Sequence, residues 1–319
     1  MIAKPEILLI DQLMPSTEAA MGQRYLLHRL YAERDPVALI CQIGLRIRAV
    51  VTNAPTGVSD DILNALPNLE LIALNGIGTD AVDLELARAR NIRVTITPGV
   101  LTDDVADLAI GLLLAVARRI CVGDRFVREG RWARGESLPP SRKVSGKRLG
   151  IVGLGHIGRA IARRAAGFDL QIAYTGPDAV DGVEYRFEPD LERLARDSDF
   201  LAISAAGGPQ SRGIVSEAVL NALGREGVLI NVARGSIVEE DALVSALAEG
   251  RLGGAGLDVF AHEPNVPEAL RSMDQVVLQS HRATTTIETR LAMGELVIAN
   301  LDAHFAGKEL PTPVVTAGP

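Results

Sequence analysis

A chain of 319 residues is long enough for two domains of ordinary size, each with a core of its own. Hydrophobic residues at 47% and charged residues at 23% exclude a disordered chain and fit a soluble globular protein. A net charge of −7 leaves no basic face for a phosphate backbone, which argues against nucleic acid as a partner.

In chain order, residues 7–10, 37–41, 49–52 and 69–74 are short apolar runs separated by helix-compatible segments. That alternation predicts βα units on a parallel sheet. The stretch Asn75-Gly-Ile-Gly-Thr-Asp80 breaks the pattern directly after a strand, where open α/β sheets place ligand loops. Gly76, Ile77 and Gly78 are therefore candidate substrate contacts, together with Asn53, and the alternative is a plain turn. Pro98-Gly99 punctuates the chain, and Thr102-Asp-Asp104 suits the start of a long helix running to about Arg128, expected to bridge two domains. The longest uncharged apolar run, residues 108–117, is about half of what a bilayer span requires. No cleavable signal pattern opens the chain, so a cytoplasmic protein without membrane contact is expected. Cys41 and Cys121 form neither a metal-ligand pattern nor a disulfide framework and are expected as buried thiols in a reducing compartment.

Residues 130–147 are polar, with two prolines and the lone Trp132, and read as a surface excursion. Beyond it, residues 149–152 predict a buried strand, and Gly153, Gly155 and Gly158 fall at G-x-G-x-x-G spacing before an Ala-rich helical run, 160–166. This is the pattern of a dinucleotide cradle. The first glycine permits a tight turn, the second lets the backbone approach a pyrophosphate, and the third lets helix and strand pack closely. The anion would rest on free N–H groups near His156 and Ile157, next to Arg159. Further strands are predicted at 170–175, 200–204, 228–232, 255–260 and 275–279, with helices at 190–196, 216–223 and 239–249, giving a doubly wound sheet of six strands. A final helix at 287–305 precedes a Pro311-Thr-Pro313 tail.

Functional residues in such sheets lie just past the carboxyl ends of strands. Three ionisable residues stand there: Arg234 after Asn231-Val-Ala233, Glu263 after Asp258-Val-Phe-Ala-His262, and His281 after Val276-Val-Leu-Gln-Ser280. Each alone has a structural alternative, as a solvated loop residue, a turn or a hydrogen-bonded core group; their joint placement suits hydride transfer to a carbonyl. The alkoxide formed needs a proton donor, and an imidazolium with an ordinary pKa of about 6.5 serves near neutrality. His281 is that candidate, Glu263 the carboxylate that favours its charged form, and Arg234 the planar grip for a substrate carboxylate.

The segments Thr97-Pro-Gly-Val-Leu-Thr-Asp103, Gly150-Ile-Val-Gly-Leu-Gly-His-Ile-Gly158, Gly227-Val-Leu-Ile-Asn-Val-Ala-Arg-Gly-Ser236, Gly250-Arg-Leu-Gly-Gly-Ala-Gly-Leu-Asp-Val-Phe260, Glu263-Pro264 and His281 together resemble the D-isomer-specific 2-hydroxyacid dehydrogenases, closest to the glyoxylate/hydroxypyruvate and hydroxyphenylpyruvate reductases. The likeness spans nearly the whole chain and is least distinctive over the first ninety residues or so. It implies two doubly wound α/β domains, a Rossmann NAD(P)-binding domain (residues 99–286) inserted in a flavodoxin-like substrate domain (residues 1–98, with 287–319 returning to it). It also implies reduction of a 2-oxo acid to the D-2-hydroxy acid, with Arg234, Glu263 and His281 catalytic and with Val232, Ala233 and Asp258 among the cofactor contacts, Asp258 at the nicotinamide carboxamide. A two-fold dimer is implied too, in which Trp132 of each chain reaches the partner's substrate pocket; the alternative is a Trp lying over its own helix. Ser280 and Arg282 depart from the family's Pro-His-apolar pattern, placing a second cation near His281.

The slot at the end of the second strand of the nucleotide domain, where an acid would bind the ribose hydroxyls of NAD, holds Thr175. NADP is favoured on that ground, whereas Asp178 turning back toward the ribose would restore NAD. The alternative from another class is a nucleotide-sensing, corepressor-like binding protein on the same scaffold, against which stands the lack of any long disordered extension.

Overall fold

The computed structural model describes residues 4–315. Two compact units emerge, one running up to Leu101 and resuming at Thr285, the other being Thr102–Thr284.

In the first unit, β1 (Glu6–Leu9), β2 (Leu26–Arg29), β3 (Ile47–Asn53), β4 (Leu71–Asn75) and β5 (Arg93–Thr95) pair in parallel in the order β2-β1-β3-β4-β5. Strands β3 and β4 are almost wholly buried, which is why they read as near-continuous apolar runs. Their register sets Asn53 beside Asn75 at the carboxyl edge of the sheet.

Residues 37–41, expected as a strand, lie instead in a helix, Pro36–Ile43. The Asp35 side chain accepts from the Ala38 N–H at 3.0 Å and Pro36 occupies the first turn, so a cap and a preset φ start a helix that the apolar run alone does not distinguish from a strand. Cys41 is exposed on that helix, contrary to the expectation of a buried thiol, and so is Cys121.

In the second unit, β6 (Arg148–Val152), β7 (Gln171–Thr175), β8 (Arg186–Phe187), β9 (Phe200–Ile203), β10 (Val228–Asn231), β11 (Gly254–Leu257) and β12 (Val276–Leu278) are all parallel, in the order β12-β11-β10-β9-β6-β7-β8. There are seven strands and not six, because the two-residue β8 is too short to leave a hydrophobic pattern. The order reverses between β6 and β9, the crevice where such sheets bind nucleotides.

The long helix expected to run from Thr102 to Arg128 as a bridge is two helices, Thr102–Ala117 and Ile120–Arg128, broken at Arg119 with φ +53°. The first belongs wholly to the second unit and lies against β11. A Cβ on Gly256 would come within 2.9 Å of Leu112 Cβ, and one on Gly254 within 2.8 Å of Val116 Cγ1, so β11 uses glycines to admit the helix.

After Thr284 the chain rejoins the first unit. The helix Ile287–Phe305 buries Val297 and Leu301 among Ile7, Leu9, Val51 and Ala73. The expected tail is a strand, β13 (Pro313–Val315), antiparallel to β5. It is the sheet's edge, where the missing N–H of Pro313 costs no ladder bond.

Candidate active site

Beyond β6, the three glycines are required for different reasons. Gly153 has φ +92°, and a Cβ there would lie 2.7 Å from the Ala205 backbone; at Gly158 it would lie 2.2 Å from the Gly153 carbonyl oxygen. The fold itself therefore demands these two. Gly155 has φ −75° and nothing within 4 Å of where a Cβ would stand. No protein atom asks for glycine there, and the open space lies in front of a helix, His156–Ala166, whose first turn has no side-chain cap. Those N–H groups, the clearance at Gly155 and the switch-point position fit a dinucleotide pyrophosphate. Arg159 lies in the helix's first turns, its Nε 3.4 Å from the Leu154 carbonyl. Thr175 ends β7 and is buried, its carbonyl accepting from the Gly153 N–H at 2.9 Å, while Asp178 stands exposed in the turn beyond.

His281 and Glu263 meet. His281 Nδ1 lies 2.7 Å from Glu263 Oε2, and Oε1 accepts from the Phe260 N–H at 3.0 Å. Burial alone would push the Glu263 carboxyl up, but the hydrogen bonds from His281 and Phe260 and the charges of His281 and Arg234 hold it below its ordinary range. The carboxylate thus stays ionised and turns the ring so that Nε2 is left for a substrate. Both side chains keep about a quarter of their surface, 26% and 27%, enough for a small molecule to reach them.

Asp258 explains how the histidine is held. His281 adopts φ +50°, unusual for a non-glycine residue. Its N–H donates to the Asp258 carbonyl at 2.7 Å, and the Asp258 carboxylate accepts from the N–H groups of Arg282 at 2.8 Å and Ala283 at 3.0 Å. Asp258, expected as a contact to the nicotinamide carboxamide, is 0% exposed, and each of its carboxylate oxygens accepts one hydrogen bond from that loop. Burial raises its pKa, opposed by the two backbone bonds. The Arg282 side chain is exposed.

Arg234 follows β10 in the turn Asn231-Val232-Ala233-Arg234 and is partly buried, its Nη1 donating to the Ala233 carbonyl at 2.8 Å. Val232 and Ala233 are buried at the same strand end. A Cβ on Gly235 would fall 1.9 Å from the Phe260 carbonyl carbon, so the Arg234 turn sits directly on the backbone that leads to Glu263. Glu240 supports that backbone too, accepting from the Ala261 N–H at 2.9 Å. Neither Asn231 nor Glu240 was signalled by type or spacing, since their partners are backbone groups. Trp132 stands in a single turn, Trp132–Arg134, and is 72% exposed, while Arg131 lies 4.8 Å above the Phe126 ring.

In the first unit, Asn53 Oδ1 accepts from Asn75 Nδ2 at 3.1 Å, and Gly76 is forced by Ala54, whose Cβ would stand 2.7 Å from an added one. Ile77 and Gly78 form an open loop beyond. Asp11 organises the neighbouring turn, its Oδ2 accepting from the Asn53 N–H at 2.8 Å and Oδ1 from the Thr56 hydroxyl at 2.9 Å. A lone acid after a short strand carries no sequence signal for that task.

Comparison with known proteins finds relatives over nearly the whole chain. The profile of the family described as D-isomer specific 2-hydroxyacid dehydrogenase, NAD binding domain, matches residues 110–283. A 2-ketogluconate reductase of Gluconobacter oxydans is 45% identical over 99% of this chain and 100% of its own length. A hydroxyphenylpyruvate reductase of Plectranthus scutellarioides is 46% identical over 97% and 98%. Among solved structures, an NADPH-dependent glyoxylate/hydroxypyruvate reductase of Sinorhizobium meliloti, in complex with NADP and malonate, superposes with a TM-score of 0.91 at 38% identity, covering 98% of this chain and 97% of its own. All three are reductases, and the corepressor-like alternative finds no support among them.

Proposed function

The chain belongs to the D-isomer-specific 2-hydroxyacid dehydrogenases, NAD(P)-dependent oxidoreductases of 2-oxo acids, and from that premise we propose that it is an NADPH-preferring reductase of small 2-oxo acids such as glyoxylate, hydroxypyruvate or an aryl pyruvate. The observation that carries the reading is the His281–Glu263 pair at 2.7 Å. When bound, the nicotinamide supplies the hydride that reaches the carbonyl carbon. His281 delivers the proton from Nε2 to the oxygen that becomes the alkoxide, while Glu263 balances the imidazolium. Arg234 takes the substrate carboxylate as a two-pronged ligand. In the first unit we assign Asn53 and the backbone of Gly76, Ile77 and Gly78 to the substrate. Gly153, Gly155, His156, Ile157, Gly158 and Arg159 take the cofactor's phosphates.

NADPH preference is supported by the neutral, buried Thr175 at the end of β7, which sets no carboxylate against a 2′-phosphate. Among the described residues no helix is long and apolar enough to cross a membrane, and two free, exposed thiols suit the cytoplasm. A homodimer is supported by exposed Ile120 and Val127, 54% each, on the helix that leads to Trp132. The test is initial rates by nicotinamide absorbance with NADPH and NADH over a panel of 2-oxo acids that includes 2-ketogluconate. Turnover of at least one, faster with NADPH, is expected; folded protein that consumes neither cofactor with any of them overturns the reading.

A further inference from the structure

We propose that Asn231 is a positioning residue for the reaction, its side-chain amide setting the turn that aims Arg234 at the substrate carboxylate. This rests on the assignment of Arg234 made above. Asn231 closes β10 and is 1% exposed, so it touches no substrate itself. Its amide spans the turn: Oδ1 accepts from the Ala233 N–H at 3.1 Å, and Nδ2 donates to the Arg234 carbonyl at 2.9 Å. One donor and one acceptor at opposite corners of a short planar group are needed here. Aspartate keeps only the acceptor, and alanine keeps neither.

The same residue is tied to the acid's side of the site. Its backbone carbonyl accepts from the Asp258 N–H at 3.0 Å, and Asp258 in turn holds His281, Arg282 and Ala283. Gly235, which admits no Cβ against Phe260, seats the far end of the turn. The Arg234 backbone is therefore fixed on one side by an amide and on the other by close packing, and only the amide can be changed without a clash.

The experiment compares wild type, Asn231→Ala, Asn231→Asp and Arg234→Lys, with the two double variants. Steady-state rates with glyoxylate are read beside binding of NADPH and of oxalate to the NADPH-loaded protein. Both Asn231 variants are expected to raise KM and the oxalate Kd about tenfold while NADPH affinity holds within about twofold. In the Arg234→Lys background the Asn231 effect should largely vanish, since the two act as one unit. Should Asn231→Ala fail to fold, Asn231→Asp retains the acceptor and makes the same comparison. Equal losses of NADPH and oxalate affinity, or additivity with Arg234→Lys, overturn the proposal. Failure of the functional reading is separate: it shows as wild-type protein that turns over no 2-oxo acid, whereas the oxalate titration tests Asn231 without turnover.

Discussion

His281 sits in a left-handed backbone conformation that costs roughly 1–3 kcal/mol for a residue with a side chain, and three hydrogen bonds that Asp258 accepts from residues 281–283 offset it. His281→Ala is expected to lower kcat by roughly 10²–10⁴-fold with NADPH binding nearly intact, because proton donation is removed and the cradle is not. A main defect in NADPH binding, by fluorescence titration, would show the role to be wrongly assigned. Thr175→Asp is expected to turn cofactor selectivity toward NADH by setting a carboxylate against the 2′-phosphate. Wild type that already prefers NADH in kcat/KM would refute this and point to Asp178. The candidate side chains Arg234, Glu263 and His281 were legible because they stand at strand ends in local sequence. Asn231, Glu240 and the hold of Asp258 on the His281 loop were not, because each acts through backbone groups that any residue would provide.

The C-terminal helix, Ile287–Phe305, shows at the element scale how a polar cluster anchors a packed face. His304, with a side chain 3% exposed, takes the Arg93 guanidinium at Nδ1 and donates from Nε2 to Glu70 at 3.0 Å. Nδ1 must be unprotonated to accept, so the bonded tautomer is neutral. Burial lowers the His304 pKa below its ordinary 6.5, with Glu70 opposing and Arg93 adding to the fall. Above 6.5 the group is neutral folded and unfolded; below it the unfolded chain takes a proton that the folded one refuses, so stability declines as pH falls through that window. Glu70, held below 4.5 despite burial by bonds from Arg48 and His304, adds stability that is present above that value and lost on further acidification. Thermal unfolding from pH 8 to 5 should show wild type losing stability below about pH 6.5, and His304→Gln losing less of it over the same range. Parallel slopes for the two proteins would exclude His304 as the cause. Helix or strand at residues 37–41 was decided by Asp35 and Pro36, signals adjacent to the run and outside its own pattern.

For the whole molecule, assembly is the quantity most open to test. Ile120, Val127 and Trp132 are exposed apolar side chains along one short stretch, and exposed aromatics beside arginines are typical interface anchors. Sedimentation at micromolar protein should show a dimer, the commonest closed oligomer; Trp132→Ala should weaken it or raise KM for bulky oxo acids. A wild-type monomer, or a variant unchanged in both respects, would remove the idea. The sequence by itself marked the glycine cradle, the alternation of strands and helices in the second unit, and Arg234, Glu263 and His281 as candidates, because turns, buried parallel strands and strand-end polar groups leave marks within a few residues. Tertiary structure alone decided that β13 completes the first sheet and that Asp258 holds the loop of His281. Those outcomes rest on hydrogen bonds and close packing between segments far apart in the chain, whose partners no local pattern names.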